Sequence, residues 1–180
     1  MGSKTTRGET RGKTARALAL AGLTALAATA ALAQSGPATL PDDRRDDVIQ
    51  ARQLLMDAIE EQVAPVDLAA AGAKADLQAV KDRAYLINTL LSAFPHLFPP
   101  GTRPSDVPDG GVTTNATPAL WDKFDAFYQL SRTAASEALE ASQAGDASAF
   151  ATHATALRKA CDACHADYMV IQSNPGAPQK

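Results

Sequence analysis

This chain of 180 residues has only two cysteines, and they lie three apart in the stretch "ALRKACDACHADY" (residues 156–168), with a histidine directly after the second. On a helix, positions i and i+3 share a face, so Cys161 and Cys164 would present both thiols to the same neighbour. Three chemistries use such a pair: structural zinc, a redox-cycling disulfide, and covalent attachment of haem through two thioethers. Structural zinc takes four ligands. Here one thiol pair and His165 are close together, and His153 lies more than two turns before Cys161. A redox C-x-x-C normally opens a helix after a strand, where the helix N-terminus lowers the thiol pKa. This pair sits deep inside a helical pattern. C-x-x-C-H is also the attachment pattern of c-type haem, in which the two thiols reach the two vinyl groups and the next imidazole becomes the proximal iron ligand. The residues therefore favour one covalent haem c, held by Cys161 and Cys164 with His165 on the iron.

That attachment is made outside the bacterial cytoplasm, and the start of the chain supplies a route there. Lys4, Arg7, Arg11, Lys13 and Arg16 precede the apolar run "ALALAGLTALAATAALA", which ends in Ala31-Leu32-Ala33. A basic lead, an apolar run and a small-x-small end predict a secretory signal peptide over residues 1–33, cleaved after Ala33 and leaving no stable membrane span. A periplasmic location follows. Residues 34–41 read as a flexible segment and 42–180 as one domain. Without residues 1–33 the chain keeps 12 basic and 19 acidic residues, a net charge of −7. That balance argues against nucleic acid as a partner.

Four amphipathic segments must position the motif. Asp42 and Asp43 open the first, with Val48, Leu55, Met56, Ile59 and Val63 at helical spacing. Pro65 is expected to kink or end it, and Gly72 to end any continuation. The second, from Ala73 to Phe94, carries Leu77, Val80, Ala84, Ile87, Leu91 and Phe94 on one stripe, opposite Lys74, Asp82 and Asn88. A Pro- and Gly-rich crossover loop runs to Thr117. Thr117-Pro118 opens the third helix, with Trp121, Phe124, Tyr128, Ala135 and Leu139 along it and Gly145 at its end. Asp146 or Ser148 caps the fourth, which carries Phe150, Ala154, Leu157 and the C-x-x-C-H motif. No segment alternates like a strand. The expected fold is all-α, an antiparallel up-down-up-down four-helix bundle. Abundant alanine on the facing surfaces would allow close packing, or room for something flat.

Residues 44–168 resemble the class II cytochromes c, meaning cytochrome c′ and its low-spin, methionine-ligated relatives. The likeness rests on "RQLLM" (Arg52–Met56), "FPHLFPPGT" with "PALW" after it (Pro118–Trp121), and "AGDASAF" followed by "LRKACDACHADY". The resemblance implies that the first helix faces the distal side of the haem and that the residue four after its arginine meets the iron. Here that residue is Met56, and Arg52 would lie by a haem propionate instead of being a solvated helix residue. Met56 on the iron implies a six-coordinate single-electron carrier serving redox partner proteins. Met56 only lining the pocket implies a five-coordinate protein that binds nitric oxide or carbon monoxide. Neither is an enzyme, and no Ser–His–acid or paired-carboxylate arrangement stands out. The resemblance further suggests a homodimer through the first two helices. Departures from the family pattern are Met169 after Tyr168 and Asp162 within the motif, both at places often basic; Arg158 and Lys159 could supply charge instead. His96 reads as a surface loop histidine, His153 as exposed, and Trp121, Phe124 and Phe98 as core packing, with the porphyrin as one surface they could meet.

Overall fold

A computed structural model describes residues 40–170. The segment read as a signal peptide and most of residues 34–41 lie outside this range. Among the described residues five α-helices form: α1 (Asp42–Ala70), α2 (Leu77–Ala93), the single turn α3 (Ala119–Asp122), α4 (Phe124–Gln143) and α5 (Ala147–Tyr168). α1 and α4 each pack on both α2 and α5, which closes a ring of four long helices. Cross-links fix the directions. Lys81 Nζ reaches the Ala144 carbonyl (2.7 Å), Asn88 Nδ2 the Ala135 carbonyl (2.7 Å) and Ser131 Oγ the Leu91 carbonyl (3.0 Å), so α2 and α4 run antiparallel. Among the described residues there is no strand, only one isolated antiparallel bridge between Ala116 and Met169. The expected four-helix bundle is the fold. No helix among the described residues is long and apolar enough to cross a membrane.

α1 differs from expectation at Pro65, which neither ends nor interrupts it. Proline removes the N–H that would bond to Glu61, but Glu61 lies on the exposed face, where water can serve its carbonyl. The next residue, Val66, is fully buried and anchors that turn. The helix stops at Gly72 (φ +91°), where Gly72 N–H bonds to the Ala69 carbonyl and Ala73 N–H to the Leu68 carbonyl. Ile49, not Val48, is the fully buried residue at its start.

α2 buries its predicted stripe, and Asp76 caps it by accepting a hydrogen bond from Gln78 N–H (3.0 Å). Asn88, placed on the polar face by periodicity, instead turns toward α4. The third expected helix is two. Lys123 (φ −125°, ψ 41°) leaves helical geometry and separates α3 from α4. The buried face of α4 is Phe127, Ser131, Ala134, Ala135, Ala138 and Ala141, with Phe124 and Tyr128 half-exposed. Small side chains there let the backbones of α2 and α4 approach closely. Asp146 caps α5 by accepting from Ala149 N–H (2.9 Å).

The core has two parts. One is an aliphatic cluster shared by α1, α2, α4 and α5. The other is an aromatic cluster of Phe94, Phe98, Leu120, Phe127 and Tyr168. Leu55 and Met56 of α1 pack against both.

Candidate functional site

Between α1, α4 and α5 lies a cavity of about 490 Å³, within the range of small-molecule sites. α1 contributes Arg52 and Met56 to its wall, α5 contributes Cys161, Cys164 and His165, and α4 closes the back with Phe127, Leu130 and Ala134. All five residues singled out from sequence therefore line one space, although Arg52 and His165 are more than a hundred positions apart. The antiparallel return of α5 along α1 brings them together.

Cys161 and Cys164 are free thiols, half-buried on the inner face of α5. Burial pushes the Cys161 thiol up to about 11, with Asp162 and Asp67 adding to the rise and Arg158 opposing it. Burial, then Cys161 and Asp167, raise Cys164 to about 11 as well. Both are protonated at neutral pH, unlike the activated thiolates of redox motifs. Nor do three His, Cys, Asp or Glu side chains converge as a metal site among the described residues. Zinc and thiol redox both lose ground. His165 sits half-buried in the last turn of α5, on the same wall.

Arg52 is buried, with 4% of its surface exposed. Its guanidinium donates to Thr102 Oγ1 (3.2 Å), the Thr102 carbonyl (3.1 Å) and Thr114 Oγ1 (2.8 Å). The cation also faces the rings of Phe98 (4.8 Å) and Trp121 (5.4 Å). No carboxylate pairs with it among the described residues. Burial lowers its pKa to about 10, so it remains charged at neutral pH. A buried cation with only neutral partners at a cavity wall suits an anionic group in that cavity. An apolar chamber, two protonated thiols on one helix face, an imidazole beside them and an unbalanced guanidinium opposite together fit a haem with its propionates.

Among the other residues read from the sequence, His96, Trp121 and Phe124 match their reading and His153 does not. Phe98 lines the cavity, but Trp121 and Phe124 stand behind it, Trp121 against Phe98 (5.8 Å between ring centroids) and Phe124 against Phe127 (5.8 Å). His96 is exposed and meets only the Tyr128 ring edge-on (6.3 Å). His153 is half-buried and not fully exposed, because its Nδ1 lies 2.9 Å from Glu137 Oε2 on α4. Met169 lines the cavity. Arg158 also lines it, and its charge is taken up by Asp67 and Asp162 (3.1 Å each).

The loop contacts are the part that sequence reasoning missed. Thr102 is fully buried, and Gln53 Nε2 donates to the Thr113 carbonyl (2.8 Å), so α1 grips the crossover loop at two successive residues. Nothing local marks Thr102 as a partner of a residue 50 positions earlier.

Comparison with known proteins agrees with this geometry. The cytochrome c′ of Rhodospirillum rubrum is 31% identical over 156 residues, covering 85% of this chain and 97% of that protein. Cytochrome c-556 of Agrobacterium tumefaciens is 34% identical over 99 residues, covering 52% of this chain and 71% of that protein. The solved structure of cytochrome c′ from Rhodopseudomonas palustris superposes with a TM-score of 0.62 at 25% identity, covering 71% of this chain and 98% of that one. Residues 47–169 match the family model for cytochrome C′. With the bundle, the cavity and the C-x-x-C-H wall in place, the chain belongs to the cytochrome c′ family, and its cofactor is covalently attached haem c.

Proposed function

We propose that this protein is an exported, periplasmic mono-haem cytochrome that carries single electrons between partner proteins. In this reading Cys161 and Cys164 form the thioethers, His165 is the proximal ligand, Met56 the distal ligand, and Arg52 pairs with a propionate. The observation that carries it is that Met56 and His165 line one cavity from two different helices, α1 and α5. Haem supplies the one-electron iron couple, and methionine–histidine ligation raises its potential. The chain's own residues do the rest. Met56 offers the soft sulfur on the α1 wall. Leu91, Phe98, Phe127 and Leu130 give the chamber an apolar wall. Arg52 holds a positive charge against the cofactor's acidic edge, where its fork suits a carboxylate. The basic, apolar and small-residue sequence of residues 1–33 supports export.

A second reading leaves Met56 as a wall residue only, so that the protein binds nitric oxide or carbon monoxide. The apolar lining supports it, because a small uncharged gas enters such a chamber without loss of hydration. Absorption spectra of ferric and ferrous protein, with and without carbon monoxide, separate the two. The carrier shows low-spin spectra, a weak sulfur-to-iron band in the far red and slow carbon monoxide binding limited by loss of Met56, all changed in Met56→Ala. A high-spin wild-type spectrum with ready gas binding overturns it. Replacing Cys161 and Cys164 with Ala removes the haem stain that survives denaturation; retention of that stain overturns the thioether assignment.

A further inference from the structure

α1 and α5 pack against each other through buried side chains, and the cavity opens between them beside Met56 and Cys161. α1 is held at two places. Near its middle, Arg52 and Gln53 grip the crossover loop, not α5. Toward its end, Asp67 Oδ2 meets Arg158 Nη1 at 3.1 Å, and the same guanidinium uses Nε to bind Asp162 Oδ1 at 3.1 Å. Among the described residues this is the only side-chain hydrogen bond or ion pair joining α1 to α5. The other side-chain link from this part of α1, Gln62 to Arg83 (2.8 Å), goes to α2. Asp67 reaches Arg158 only because α1 continues through Pro65.

We propose that Arg158 is a positioning residue: bound to Asp67 and Asp162, it fixes the span between α1 and α5 and thereby the reach of Met56 toward the iron held by His165. This rests on Met56 as the distal ligand. Met56 lies between the two holds on α1, roughly three turns from Asp67, and Arg158 lies roughly two turns from His165 on the opposite wall. A planar guanidinium with two carboxylates is a stiffer link than one ammonium pair, since its two donors leave in fixed directions. The three side chains are partly exposed, with 48%, 34% and 63% of Arg158, Asp67 and Asp162 accessible. Screening therefore limits the effect to the scale of surface ion pairs.

Carbon monoxide can occupy the distal position only when Met56 has left it, so its association rate with the ferrous holoprotein reads the Met-off population. Arg158→Met and Asp67→Asn each raise that rate about three- to fivefold, the scale of a surface ion pair. The double variant is no faster than either single one, and Arg158→Lys recovers part of the effect. Raising the salt concentration speeds the wild type and leaves the Arg158→Met protein unchanged. Met56→Ala, measured alongside, keeps the two claims distinct. If the wild type is already as fast as Met56→Ala, Met56 is no ligand and both claims fall. If Met56→Ala is much faster while the Arg158 and Asp67 variants stay at the wild-type rate, or add independently, ligation stands and the positioning role is refuted.

Discussion

Arg52 makes the strongest demand on the rest of the molecule of any single residue. Its burial as a cation costs free energy at neutral pH, because its folded-state pKa is lowered to about 10. For a base with a depressed pKa the cost is present in full below that value and fades only as pH rises past it. The hydrogen bonds to Thr102 and Thr114 offset part of the cost, and in the proposed function a haem propionate would offset more. Arg52→Met in the holoprotein is expected to lower unfolding free energy by about 2 kcal/mol in urea, the scale of hydrogen bonds to a charged group. It should also open residues 99–117 to limited proteolysis. Arg52→Lys should not restore protection, since one ammonium cannot span both threonines. At this scale the sequence was most readable where chemistry is local. Cys161, Cys164 and His165 declare themselves by adjacency. Arg52 and Met56 needed the family likeness, and Thr102 stayed hidden because its partner comes from another element.

At the scale of elements, small residues decide how the helices meet. Ala138 is fully buried where α4 faces α2, beside the Asn88 and Ser131 links. A larger side chain there must push the two backbones apart. Ala138→Leu is expected to cost about 1–3 kcal/mol by overpacking, read as a lower midpoint in thermal or urea unfolding. An unchanged midpoint would mean that the seam is looser than drawn. The stripe of α2, the cap at Asp146 and the stop at Gly72 were readable, because side-chain periodicity, a capping acid and a positive φ are local signals. The run of α1 through Pro65 and the break at Lys123 were not. In the first case tertiary anchoring at Val66 overrides a local penalty. In the second, Leu120 and Phe127 reach the same aromatic cluster from either side of the break, and no proline or glycine marks Lys123.

For the whole molecule, the outer faces of α1 and α2 carry exposed apolar side chains: Leu54 (60% accessible), Leu68 (63%), Tyr85 (60%) and Leu86 (42%). Such residues on two packed helices suit the homodimer that the family likeness suggests. Leu54→Glu with Leu68→Glu should convert a dimer to a monomer at micromolar concentration, as sedimentation velocity would show. A wild-type mass that stays monomeric at every concentration would remove the dimer. The acidic excess of residues 34–180 sets the sign of a salt effect: added salt screens repulsion and strengthens self-association.

The grip of Arg52 on the crossover loop also has a temporal side. It joins residues 50 and 62 positions apart, whereas α4 and α5 meet across a connection of three residues. Closing the longer loop costs more chain entropy before any contact rewards it. The α4–α5 hairpin is therefore expected to close before the Arg52 grip forms, an order that pulse-labelled amide exchange would reveal. Until that grip forms, Cys161 and Cys164 would stand on a formed helix, and that interval is when haem could be delivered and joined.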